Sequence, residues 1–139
     1  MADPVARLMR LRTAQADTAR RDLAAALRAN DEAEAHIAAS RAALHREAGA
    51  APADAAHPLI AAFAAWLPAG QAEIRRIAAE QMLAEAALVS ARNILSEARV
   101  AMRACESLAD SLIASRRKDA QQRAQTTLED VARRRASIP

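Results

Sequence analysis

Tyrosine is absent, and Phe63 and Trp66 are the only aromatic side chains among 139 residues. A chain so short of large rings cannot build the aromatic-rich core of a rounded domain. Its two glycines, Gly49 and Gly70, are too isolated to form a phosphate-cradling loop. The single cysteine, Cys105, excludes an intrachain disulfide and gives no reason to expect an oxidising compartment. No hydrophobic run is long: the strongest, Leu59 to Leu67, is far shorter than the ~20 residues a bilayer requires. The opening MADPVARLMRLRTAQAD also lacks the apolar centre of a secretion signal. These absences predict a soluble cytoplasmic protein with no direct membrane insertion.

Alanine fills much of the remaining space, with 42 residues. It buries so little surface that the 53% apolar content overstates the hydrophobic effect on offer. Together with Arg, Glu, Leu and Gln it favours helix nearly everywhere, so the chain reads as all-α. The net charge of +3 is too small by itself to imply a polyanionic partner.

Asp3 before Pro4 is a helix-start signal, an N-cap acceptor followed by a residue with no N–H to leave unpaired. From there Met9, Ala16, Leu23, Asn30, Ile37 and Leu44 recur every seven residues, with Arg12, Ala19, Ala26, Ala33 and Ser40 beside them. This is a narrow seam of heptad type. The stretch GAAPADAAHP breaks it, so a first helix is expected over about 4–48 and a joint over about 49–70, carrying its own short helix. A second helix is expected over about 71–135. Its columns are Ile74, Gln81, Leu88, Leu95, Met102 and Ala109, and Ile77, Ala84, Ala91, Ala98, Cys105 and Leu112.

Large residues beside an alanine column let two antiparallel helices approach closely. The expected architecture is an elongated antiparallel two-helix coiled-coil hairpin, one domain over 1–139, with a short helical segment at its closed end. Asn30 in the seam is either a register device or a water-bridged side chain. At ~1.5 Å per residue the helices would measure about 67 and 97 Å, so the second overhangs by about 20 residues from Arg116. The overhang carries Arg116, Arg117, Lys118, Arg123, Arg133, Arg134 and Arg135 against Asp119, Glu129 and Asp130, a local +4. Such charge serves either as helix-end electrostatics or as a contact surface for an acidic partner.

Nothing in the sequence points to catalysis. His36, His45 and His57 lack the spacing of a metal site, and Cys105 has no base arranged near it. No catalytic, cofactor-binding or metal residue is expected, and no cofactor. Acidic residues interleave with the arginines and no ring stands beside them for base stacking, which argues against nucleic acid. The residues Leu59, Ile60, Phe63, Trp66 and Leu67 would form a compact apolar face at the closed end. Two readings are open and compatible: a plug folded over Ile74 and Ile77, or a docking knob, since Trp and Phe are favoured interface anchors.

The stretches LMRLRTAQADTARRDLAAAL, FAAWLP and LEDVARRR, with the hairpin layout and the Arg-rich end, resemble the FliJ family of bacterial flagellar export, related in form to the YscO-type proteins of type III secretion. The resemblance spans the whole chain. It implies a non-enzymatic, stalk-like adaptor, peripherally associated with the membrane export apparatus. Such an adaptor couples a hexameric export ATPase to the cytoplasmic domain of the export gate protein and handles export chaperones. By this resemblance the ATPase end comprises Arg7, Leu8, Arg10, Leu11, Arg12, Arg116, Arg117, Lys118, Arg123, Leu128, Val131, Arg133, Arg134 and Arg135. The gate end comprises Leu59, Ile60, Phe63, Trp66 and Leu67. A reading of another class is a generic structural coiled coil that self-associates into a larger bundle through its exposed alanine faces.

Overall fold

The computed structural model describes residues 3–54 and 56–137. It contains two helices, α1 over Pro4–Ala50 and α2 over Pro58–Ala136, and no strand among the described residues. They pack against each other as an all-α helical hairpin. α1 begins as its sequence dictates: the Asp3 carboxylate accepts from the Val5 N–H at 3.0 Å, and the Asp3 carbonyl takes the Arg7 N–H. It ends at Ala50 because the following residue, Ala51, precedes Pro52, whose ring disfavours the α conformation there. Gly49 is simply part of the helix, and no described glycine has positive φ.

The joint is shorter than the expected 49–70. It covers only residues 51–57, of which residue 55 lies outside the described set. The anticipated separate short helix is instead the first three turns of α2. Pro58 stands at the first helical position, and the His57 ring Nδ1 caps the helix by accepting from the Leu59 N–H at 3.2 Å. Pro68 sits inside α2. A mid-helix proline costs ~3 kcal/mol, but it and the freed Ala64 carbonyl lie at solvent-exposed positions, open to hydration. Packing of the same turns holds them helical. Ile60 and Leu67 extend the column of Ile74, while Phe63 and Gly70 extend the column of Ile77, and all four are partly buried.

Contacts divide the chain into two compact units. In the first, Asp17–Glu97, the buried residues are Ala19, Asn30, Ile37, Ile77, Leu88, Ala91 and Leu95, all from the heptad columns. Ile77, 2% exposed, is the largest side chain fully enclosed among the described residues. In the second, Met1–Ala16 with Ala98–Pro139, Ala16 and Cys105 are buried. Val5, Leu8, Met9, Arg12, Ala98, Ala101, Met102 and Ala109 are half-buried around them. From Asp110 to Ala136 every residue of α2 is exposed, about 40 Å of helix with no cover. The overhang therefore starts earlier than Arg116, because α2 begins 13 residues before the expected Gln71.

Candidate functional site

Within Asp17–Glu97 the closed end holds an apolar groove of about 500 Å³, lined by Glu47, Ala50, Ala51, Pro52, Leu59, Ala62, Phe63 and Trp66. Its floor follows from the short joint, which brings the last turn of α1 beside the first turns of α2. Phe63 and Trp66 lie one turn apart with ring centroids 5.9 Å from each other and planes tilted by 36°. The five residues expected at this end divide by the face they occupy. Ile60, Phe63 and Leu67 are half-buried, and Phe63 and Leu67 also border Arg41, Leu44, His45 and Ala48 of α1. Leu59 and Trp66 are exposed, the indole at 43%.

The indole is held against the backbone of its own helix. A Cβ added at Gly70 would lie 3.0 Å from Trp66 Cη2 and 3.1 Å from its Cζ2, so the glycine provides the flat seat on which the ring lies. The plug reading of the aromatic turn does not hold as expected. Nothing folds back over Ile74 and Ile77, which lie further along the same helix. Phe63 and Leu67 pack toward α1, and Trp66 and Leu59 face outward into the groove.

Beyond this groove stands an exposed charge cluster in which Arg76 binds both Glu73, at 2.9 Å through Nε, and Glu80. The hydrogen bond from Arg76 lowers the Glu73 carboxyl below its ordinary value, and Glu73 in turn raises Arg76. Such solvent-facing pairs support the helix locally and are weakened by salt.

The residues expected at the ATPase end all belong to the second unit but do not form one patch. Leu8 and Arg12 are half-buried beside the last covered turns of α2, with Arg12 donating to Gln15 at 3.1 Å. Arg7, Arg10 and Leu11 are exposed. Arg116, Arg117, Lys118, Arg123, Leu128, Val131, Arg133, Arg134 and Arg135 are exposed along the uncovered run of α2, and the Arg133 triplet lies about 25 Å beyond Arg116 by helical rise. A shallow polar groove of Asp119, Gln122, Arg123, Thr126 and Thr127 marks the middle of that run. Thr126 and Thr127 turn their hydroxyls back onto the Gln122 and Arg123 carbonyls, and Ser137 closes the helix end by donating to the Arg134 carbonyl. Arg133, Arg134 and Arg135 occupy the last turn, where positive charge complements the helix dipole.

Two features escape a reading based on one seam per helix. The groove draws Glu47, Ala50, Ala51 and Pro52 from across the joint, a juxtaposition with no sequence signal. The outer side of α2 carries Met82, Leu83, Val89 and Ile94, all strongly exposed. Their signal was available as a second apolar face running beside the heptad columns. Among the described residues no helix is long and apolar enough to cross a membrane. No protein-family model, curated protein or solved structure matches the chain.

Proposed function

We propose that the chain is a non-enzymatic component of a bacterial flagellar or type III protein export apparatus, a stalk-like adaptor of the FliJ kind. In this reading it couples a hexameric export ATPase to the cytoplasmic domain of the export gate protein and handles export chaperones, associating peripherally with the membrane apparatus. The observation that carries the proposal is the uncovered run of α2 from Asp110 to Ala136. A single helix of this kind, rich in Arg and exposing Leu128 and Val131, gains burial only from another protein. Its arginines steer and orient an acidic partner surface, while Leu128 and Val131 supply apolar contact. At the closed end, Trp66 and Leu59 over the apolar groove supply a second, chemically distinct contact for the gate.

The test is the ATP hydrolysis rate of the cognate export ATPase, titrated with the intact chain and with a chain lacking residues 116–139. Saturable stimulation by the intact chain alone is the expected result. Equal effects of the two forms, or none from either, would remove the reading.

A further inference from the structure

Within Asp17–Glu97, α2 has a second apolar face. At about 100° per residue, Met82, Leu83, Ala86, Val89, Ser90, Asn93 and Ile94 fall within an arc of about 140°, with Ser90 and Asn93 its uncharged polar members. Opposite that arc stand Ile77, Ala84, Leu88, Ala91 and Leu95, the residues turned to α1. Met82 is 68% exposed, Leu83 72%, Val89 50% and Ile94 53%. Four large apolar side chains gathered on one face are more than the scattered exposure normal on a protein surface.

We propose that this face binds a second copy of the chain, in antiparallel orientation, about a two-fold axis passing beside Val89. The pattern of side chains about that point carries the assignment. With the axis midway between residues 88 and 89, Leu83 lies as far before it as Ile94 lies after it, so an antiparallel copy sets Leu83 against the other chain's Ile94 twice. Val89 meets its own counterpart at the centre. The only charged residues between Met82 and Ile94 are Glu85 and Arg92, placed on either side of the axis. Both lie on the same edge of the apolar arc. In an antiparallel pair each edge meets the same edge of the other helix, so Glu85 of one copy meets Arg92 of the other, again twice. A parallel copy would instead bring this edge against the edge holding Ala87, which offers no charge between Met82 and Ile94. Neither Glu85 nor Arg92 has an ion-pair partner among the described residues, so both charges are free for this contact.

The face is short. Stable complexes bury about 800 Å² on each partner, and the few turns from Met82 to Ile94 provide less, so the dimer is weak, with a dissociation constant on the order of 100 μM. The inference does not rest on the proposed export function, and its residues exclude Phe63, Trp66 and the uncovered run of α2.

Sedimentation equilibrium of the full chain between about 10 and 500 μM tests it. The expected result is a reversible monomer–dimer equilibrium. Val89→Glu should leave monomer throughout this range. Glu85→Arg and Arg92→Glu should each weaken association about tenfold, and the double exchange should restore it. Orientation is read separately by disulfide formation in a Cys105→Ser background. Val89→Cys should link to its counterpart, whereas Leu83→Cys should link only when mixed with Ile94→Cys. The substituted positions in α2's outer face are solvent-exposed, and circular dichroism checks that each variant keeps its helicity. A chain that stays monomeric across the range overturns the proposal. So do efficient self-linking of Leu83→Cys, which marks a parallel pair, and failure of the double charge exchange to recover what the single ones lose.

Discussion

The covered part of α2 in Asp17–Glu97 and its uncovered run beyond Asp110 are both helix, yet they owe it to different causes. Between Ile60 and Leu95 the side chains at heptad positions are withdrawn from water, and Ile77, Leu88, Ala91 and Leu95 are buried. Beyond Asp110 the same columns hold Arg116, Asp119, Arg123, Thr126, Asp130 and Arg133, all exposed. There the helix is supported only by alanine content, local pairs such as Gln125 to Glu129 at 3.0 Å, and arginines in the last turn. Isolated helices with such support are marginal in water, whereas packing of an apolar face stabilises a helix cooperatively. One helix thus contains a part held by packing and a part supported only by local interactions.

The sharpest way to break this contrast is to shorten one side chain in each region. Ile77→Ala removes the largest fully enclosed side chain among the described residues, and should lower the stability of the chain by about 3 kcal/mol in thermal or urea unfolding. Leu128→Ala, at a position 70% exposed, should change it by less than about 0.5 kcal/mol. Equal effects would mean that the uncovered run takes part in the fold.

The closed end allows the same comparison within one turn. Phe63→Ala should cost about 1–2 kcal/mol of stability because the ring packs toward α1. Trp66→Ala should cost under about 0.5 kcal/mol while abolishing binding to the gate domain, measured by calorimetry. Reversed roles would return the indole to a purely structural part.

Asn30 is a polar residue inside the covered region, 7% exposed, whose Nδ2 donates to Glu34 at 2.8 Å. Its Oδ1 has no partner among the described residues. Replacing it by Leu should raise stability by about 1 kcal/mol, since a buried acceptor without a donor is removed. Loss of stability in Asn30→Leu would instead show that the amide contributes to the pairing of the two helices. The smallest effect is expected at Gly70. Gly70→Ala gains up to about 1 kcal/mol of helix propensity and must displace the indole. Unfolding should change little while tryptophan fluorescence shifts; a large loss of stability would mean that the indole seat is structural.

Much of the hairpin was legible in the sequence because its seam follows one period. Each residue named from Met9 to Leu44 and from Ile74 to Ala109 in the heptad columns is buried or half-buried, and only Leu112, at the end, is exposed. The helix start at Asp3 was equally plain. The joint departs from its local signals for a physical reason: Pro68 and Gly70 favour a break, but Ile60, Phe63, Leu67 and Gly70 continue both columns, and tertiary packing outweighs the local preference. Gly70 looked like punctuation and is the seat of an indole. The groove could not be read, since it depends on how the joint returns Ala50 and Pro52 beside Leu59 and Trp66. The outer face of α2 was readable but hidden by the assumption of one seam per helix.

The most direct test of the account is hydrogen exchange followed by mass spectrometry on the full chain, alone and with the cognate export ATPase. Alone, amides around Ile77 to Leu95 should exchange slowly and those from Asp110 to Ala136 fast; the ATPase should slow the second set selectively. Uniform protection along α2 in the free chain, or slowing by the ATPase confined to Asp17–Glu97, would contradict it.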